Sequence, residues 1–315
     1  MIQFVKAHAY GNDFLIVDSK MAEREGHREL AIRLCARNTG LGADGVEYLE
    51  WIDEHAGRIH LYNADGSMAE ISGNGTRCVA AWMAYQTQTR DGGRIVIETD
   101  AGRRENTIIR TEGNRFEVAC EMGEPKFAVR ALTLGDDVIL KGAVVSTGNP
   151  HYVIFADDDK FTVAGRNWVQ TGRAVCEHPA FPQQTNVEFV RVLNRSEIEI
   201  RIFERGVGPT SSSGSGTCAS AVAAIMLQGA DHDLLVRAPG GVQRVQWTGP
   251  GQQIVLTGVA ELVATGDIFP RQRAGKSLGG MLGTIGSMAR GSASAGGNGS
   301  GDRSASAAGA GGAAS

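Results

Sequence analysis

Short runs of alternating or continuous apolar residues dominate the chain up to about residue 270. Residues 1–5, 14–18, 46–51, 94–98, 107–110 and 116–120 each read as a strand that buries one or both faces. Residues 138–140, 143–147, 152–155, 187–192 and 198–203 repeat the theme. Runs at 234–237, 242–247, 253–257 and 258–264 follow. A helical spacing over 23–35 predicts a helix beside the first strands, weakened near its start by Gly26. Strands in series, with one main helix in each half, predict an α+β class rather than alternating βαβ units.

The two main helices are announced by a repeated phrase. Ser72-Gly73-Asn74-Gly75-Thr76 opens one Ala-rich stretch, and Ser213-Gly214-Ser215-Gly216-Thr217 opens another. Each is a serine on a glycine-rich turn before good helix formers. In a single turn of this kind the serine is ordinarily a helix N-cap. Two copies at matched places imply two similar halves that aim helix N-termini at one cleft. The unpaired N–H groups and positive dipole of each N-terminus make it an anion site. Met122-Gly123-Glu124-Pro125 breaks the strand pattern and predicts a junction. The expected organisation is therefore a first domain over 1–121 and a second over 122–257, with a last strand at 258–269 packing back on the first. Residues 271–315 are mostly Gly, Ser and Ala and predict a disordered tail with no catalytic part.

Composition narrows the function. The formal net charge is −4, without the basic face of a nucleic-acid binder. No apolar run reaches the ~18 residues of a membrane helix. The first residues enter a strand pattern without a secretory signal, which predicts a cytoplasmic protein. The five cysteines are odd in number and scattered, which fits neither a disulfide framework nor a metal site. Polar segments surround the two turns: His8 to Phe14, Asn63-Ala64-Asp65-Gly66-Ser67, Gly148-Asn149-Pro150-His151, Asn186 and Glu204-Arg205-Gly206. Singly, each asparagine is ordinarily a turn residue. Together they offer amides, an imidazole, a carboxylate and a guanidinium. That set suits a zwitterionic amino acid, with arginine on a carboxylate and glutamate on an ammonium.

These blocks, with Gly40-Leu41-Gly42-Ala43-Asp44-Gly45 and Thr185-Asn186-Val187, resemble the diaminopimelate epimerase family across about residues 1–270. The resemblance implies two similar α+β domains, each a sheet wrapped round a central helix, with the active site in the interdomain cleft. It implies an isomerase that needs no cofactor or metal and interconverts LL- and meso-2,6-diaminopimelate by two-base proton transfer, in a family that often forms homodimers. It implies that Asn12, Asn63, Asn149, Asn186, Glu204 and Arg205 bind the substrate. Gly73 with Asn74, and Gly214 with Ser215, would hold the reacting carboxylate, while His151 and Glu204 assist the acid and base. The family's two catalytic cysteines are replaced here by Ser72 and Ser213. Pro209, Ser211 and Ser212 also depart from its pattern. A hydroxyl is a far weaker acid than a thiol. The alternatives are a related isomerase or dehydratase on another amino acid, or a non-catalytic amino-acid-binding homologue.

Overall fold

The structure, a computed structural model, describes residues 1–23, 25–135 and 138–270. The expected tail over 271–315 lies outside the described residues. The first half runs β1 (Ile2–Ala9), β2 (Asn12–Asp18), α1 (Ser19–Ala22), α2 (His27–Cys35), β3 (Gly45–Trp51), β4 (Ala56–Asn63) and β5 (Met68–Ala69). It continues with α3 (Gly73–Thr87), β6 (Arg94–Thr99), β7 (Gly102–Glu112) and β8 (Arg115–Glu121). The second half runs β9 (Lys126–Leu134), β10 (Val138–Ser146), β11 (Pro150–Phe155), α4 (Trp168–Cys176), β12 (Asn186–Asn194), β13 (Glu197–Glu204) and β14 (Gly208–Thr210). It ends with α5 (Gly214–Gln228), β15 (Asp233–Ala238), β16 (Gly241–Gln246) and β17 (Val255–Ile268).

The halves have the same topology. In the first, β2 pairs parallel with β3, β3 antiparallel with β4, and β4 parallel with β6. In the second, β11 pairs parallel with β12, β12 antiparallel with β13, and β13 parallel with β15. Two long strand paths tie the halves together. β17 pairs with β16, then with β8, then with β1, while β8 leads directly into β9, which pairs with β10. Each sheet therefore curls round one helix and closes through strands contributed by the other half.

A helix enclosed by a sheet has no solvent face, so it needs small residues all round rather than an apolar stripe. α3 supplies Cys78, Val79, Ala80, Ala81 and Ala84, and α5 supplies Cys218, Ala219, Ala221, Val222, Ala223 and Ala224, all buried. Their cores are completed by Ile59, Ile95 and Val118 in the first half, and by Val190, Ile200 and Val245 in the second. A leucine in place of Ala80 or Ala221 would overpack these cores, at a cost of about 1–3 kcal/mol. Outside each sheet a second core forms under an outer helix. Leu30 and Leu34 of α2 pack with Val46 and Tyr48, and Val175 of α4 packs with Tyr152 and Phe189.

Three expectations are corrected. The helix expected over 23–35 begins at His27, because Gly26 adopts a φ of 87° and caps it. The strands expected at 253–257 and 258–264 form one strand, β17. Gly258 does not break it but makes room for the Tyr10 ring, since a Cβ there would lie 3.0 Å from Tyr10 Cε2. The second half also has an unexpected outer helix, α4, beside its central one; α2 answers the helix expected in the first half.

Candidate active site

Both serines cap their helices. Ser72 and Ser213 have extended backbones. Ser72 Oγ accepts from Gly75 N at 3.1 Å, and Ser213 Oγ accepts from Gly216 N at 3.3 Å. The two helices meet N-terminus to N-terminus. A Cβ on Gly214 would lie 3.0 Å from Gly73 Cα and 3.2 Å from Asn74 N. A side chain at Gly214 would press on the backbone of the facing helix end, whereas one at Gly73 would first meet the Met122 side chain, at 2.8 Å from its Cε. Two positive dipole ends thus converge where Ser72 is half-buried and Asn74, Ser213 and Ser215 are buried.

Around Ser213 the second half places a titratable set. Glu204 is the last residue of β13, and the nearby Ser213 side chain favours its charged form. Burial outweighs this and pushes the Glu204 carboxyl up to about 7. The Glu188 and Asp44 charges raise it further, and His151 opposes them. His151 is fully buried, with Nδ1 2.8 Å from Glu188 Oε1 and Nε2 3.0 Å from Asn149 Oδ1. The Gly148 turn, with a φ of 115°, carries Asn149 past Ile71, the residue before Ser72. Asn186 is buried, and its Oδ1 accepts from Arg205 N at 3.1 Å. Arg205 itself is exposed, with Nη1 donating to Gln183 O at 3.1 Å.

The first half contributes an amide network. Asn12 Nδ2 donates to Asp44 Oδ2 at 2.7 Å, and its Oδ1 accepts from Asn74 Nδ2 at 3.0 Å. Arg77, fully buried one turn along α3, donates Nη2 to Asn74 Oδ1 and to Gln243 Oε1 on β16, at 2.6 and 2.7 Å. Gln243 Nε2 then donates to Thr217 Oγ1 on α5, which donates to Ser213 O. The amide of Asn74 therefore reports on the position of α5. Asn63 is set apart: its Nδ2 donates to Ser67 Oγ at 2.9 Å, within its own turn. Of the expected residues, the structure brings Gly73 and Asn74 against Gly214, and links Asn12 and Asn74 to Ser213 O through Arg77, Gln243 and Thr217. It bonds Asn149 to His151 and Asn186 to Arg205, and places Glu204 near Ser213. Asn63 bonds within its own turn, and the Arg205 guanidinium bonds to the loop before β12.

Glu188, Arg77, Gln243 and Glu47 are absent from the expected set. Glu188 interrupts the apolar run of β12 and Glu47 that of β3, and each follows an apolar residue at the same place in its strand. The sequence offset from Glu47 to Glu188 is also the offset from Ser72 to Ser213 and from Asn63 to Glu204. That shared offset is the signal by which both carboxyls are found.

Among the described residues no group of three or more His, Cys, Asp or Glu side chains could hold a metal ion, and no helix is long and apolar enough to cross a membrane. The five cysteines are buried and unpaired. The family model for diaminopimelate epimerase matches residues 4–128 and 143–263, which contain both serine turns. The chain belongs to the diaminopimelate epimerase family. The diaminopimelate epimerase of Moorella thermoacetica is 35% identical over 283 residues, covering 85% of this chain and 99% of that one. That of Thermosynechococcus vestitus is 36% identical over 293 residues, with 85% and 99% covered. Solved structures extend the fold. A hydroxyproline epimerase from Agrobacterium vitis, with trans-4-hydroxy-L-proline bound, aligns with a TM-score of 0.62 at 16% identity, covering 85% of this chain and 90% of that chain. A phenazine biosynthesis protein from Bacillus anthracis aligns with a TM-score of 0.63 at 16% identity, covering 85% and 99%. The two-domain architecture of the family, each sheet wrapped round its central helix, is the one described above.

Proposed function

We propose that this protein is a cofactor-independent amino-acid epimerase that interconverts LL- and meso-2,6-diaminopimelate by proton transfer on the two faces of one α-carbon. The observation that carries the reading is the end-on meeting of α3 and α5 at Gly73 and Gly214, with a serine capping each. The reacting carboxylate sits on the N–H groups of Gly73, Asn74, Gly214 and Ser215, where two helix dipoles favour negative charge. The same groups stabilise the charge that develops when the α-proton leaves, and they need no reorganisation to do so. Asn12, Asn63, Asn149, Asn186, Glu204 and Arg205 hold the rest of the amino acid. Arg205 supplies a planar fork for the distal carboxylate, swinging from its contact with Gln183.

Ser213 is the better equipped of the two hydroxyls. Glu204, raised to about 7, is divided between acid and base near neutral pH, the condition that suits general acid–base work. It accepts the Ser213 proton as the serine oxygen takes the α-proton. His151, held by Glu188 and Asn149, assists from within the same half. A second reading, a binding protein for the same amino acid, is favoured by one observation: both serine oxygens accept hydrogen bonds from their own helices.

The test is incubation with LL-diaminopimelate in deuterated water, with α-deuterium followed by mass spectrometry and meso product by chiral chromatography. Deuterium incorporation with meso product supports the epimerase. Tight binding without incorporation selects the binding protein. Absence of binding refutes both.

A further inference from the structure

Glu47 on β3 occupies, in the first half, the place that Glu188 on β12 holds in the second. Both side chains are fully buried. Glu188 Oε1 holds His151 Nδ1, whereas neither carboxyl oxygen of Glu47 has a hydrogen-bond partner. The Glu47 carboxyl reaches the first turn of α3. A Cβ on Gly75 would overlap Glu47 Oε1, and would lie 3.0 Å from Glu47 Cδ and 3.3 Å from Ser72 Cβ. The carboxyl and the Ser72 side chain thus flank one point at the mouth of the helix. A buried carboxyl without partners is destabilising, so packing does not account for it. The first half also lacks a Glu204: its counterpart is Asn63, which has no proton to exchange. Ser213 therefore has a carboxyl at hand in Glu204, and the carboxyl beside Ser72 is Glu47.

We propose that Glu47 is the proton store of the Ser72 face, acting on the substrate through the Ser72 hydroxyl when that hydroxyl turns to the carboxyl from Gly75 N, its partner in the structure at 3.1 Å. This rests on the epimerase reading above. In the delivering direction, the Ser72 O–H bond breaks and a new C–H bond forms at the α-carbon. The Glu47 O–H proton passes to the Ser72 oxygen and leaves a carboxylate. In the removing direction, the α C–H bond breaks and its proton goes to Ser72 Oγ, while the hydroxyl proton passes to the Glu47 carboxylate. Electrons balance without an oxidant or reductant. Glu47 is a positioning residue, because it acts through Ser72. Burial pushes its carboxyl up to about 8, and the Asp100 charge adds to this. Near neutral pH it therefore holds a proton, which makes delivery its resting role. The titratable groups that face it are Asp100, in the turn after β6 and paired with His60 of β4, and Cys78 of α3.

The experiment compares wild type with Glu47→Gln, which keeps shape and removes the proton. In deuterated water, Glu47→Gln should lose conversion of LL- to meso-diaminopimelate by ~10²-fold or more. The KM should stay within about twofold, because an isosteric change behind Ser72 removes no substrate contact. The alkaline limb of the wild-type rate, about pH 8, should vanish. A variant with wild-type conversion and an unchanged pH profile would overturn the proposal. Infrared difference spectra give a second readout on the full-length wild-type protein and Ser72→Ala, independent of turnover. A protonated carboxyl band should titrate about pH 8 in wild type and move in Ser72→Ala. A band indifferent to Ser72→Ala would overturn the coupling. If wild type neither binds nor exchanges diaminopimelate, the epimerase reading falls, while the infrared result still decides whether Glu47 and Ser72 share a proton.

Discussion

Glu47→Gln should make the protein more stable, and only above the ordinary carboxyl range. Glu47 is raised from 4.5 to about 8 by burial in the first half, with Asp100 adding to the shift. Below 4.5 the folded and unfolded chains both hold the proton, so the group favours neither. Between 4.5 and about 8 the folded state holds a proton that the unfolded state has released. Rising pH therefore pulls toward the unfolded state, and the stability present below the unfolded value is lost by the folded one. The slope is about 1.4 kcal/mol per pH unit, so the whole window carries roughly 5 kcal/mol. Partial relaxation around the ionised carboxyl trims this to ~3–5 kcal/mol. That is a large share of the ~5–15 kcal/mol by which a domain is ordinarily stable.

Glutamine has the same shape and no charge, so its stability has no such slope. The assay is urea denaturation of wild type and Glu47→Gln at matched pH across the window. The quantity read is the difference between the two proteins, in which other groups cancel. Glu204, which is raised in the same direction to about 7, is present in both and drops out. The difference should be near zero below 4.5, widen steadily, and level off above about 8. A difference that stays flat over that window would refute the reasoning, since a buried group that titrates normally cannot have been desolvated.

Two further predictions follow from the site. Ser72→Cys with Ser213→Cys should raise meso formation by at least ~10²-fold, and each single change should gain little, because inversion needs a proton acceptor on one face and a donor on the other. Chiral analysis of product across the four proteins checks this, and a wild type as fast as the double variant would show that serine with a carboxyl is already a competent base. Gln243→Leu should destabilise the fold by about 1–3 kcal/mol, because it leaves the buried Arg77 Nη2 and Thr217 hydroxyl each short of a partner. Urea denaturation checks it, and an unchanged midpoint would mean that Arg77 and Thr217 find other partners.

The parts of the fold that were legible in the sequence are those in which local chemistry and tertiary demand agree. Ser-Gly-X-Gly-Thr sets a cap, a free N-terminus and a small-residue helix, and α3 and α5 begin at Gly73 and Gly214 as that phrase requires. Where tertiary packing decides, pattern fails. α4 contains Gly172, an ordinary breaker, yet it stays helical because the Phe203 ring fills the space beside it. A Cβ at Gly172 would lie 2.8 Å from Phe203 Cγ. β4 alternates Ile59 and Leu61 inward, but Gly57 takes the next inward place because Leu49 and Met83 crowd it. The serines, asparagines and Glu204 could be named from motifs. Glu47 belongs to no motif: its position follows from the offset shared by the two halves, but its meaning depends on what β3 lies against.

Duplication explains why a carboxyl could arise there. Two copies of one topology share one offset, so each position in one half has a tested chemical precedent in the other. At the ends of β4 and β13 the copies have parted, into Asn63 and Glu204, and at the end of α3's cap they have kept the same serine. Beneath the caps they have kept the same acid in different surroundings. Glu188 is paired with an imidazole, and Glu47 with nothing. An acid that is expensive to bury and unpaired is tolerated where its proton is used, a general association of perturbed carboxyls with sites rather than with packing. A thiol needs little help to lose a proton near neutral pH, whereas a serine hydroxyl needs a base beside it. Glu204 near one serine and Glu47 behind the other would meet that need, one buried carboxyl for each hydroxyl.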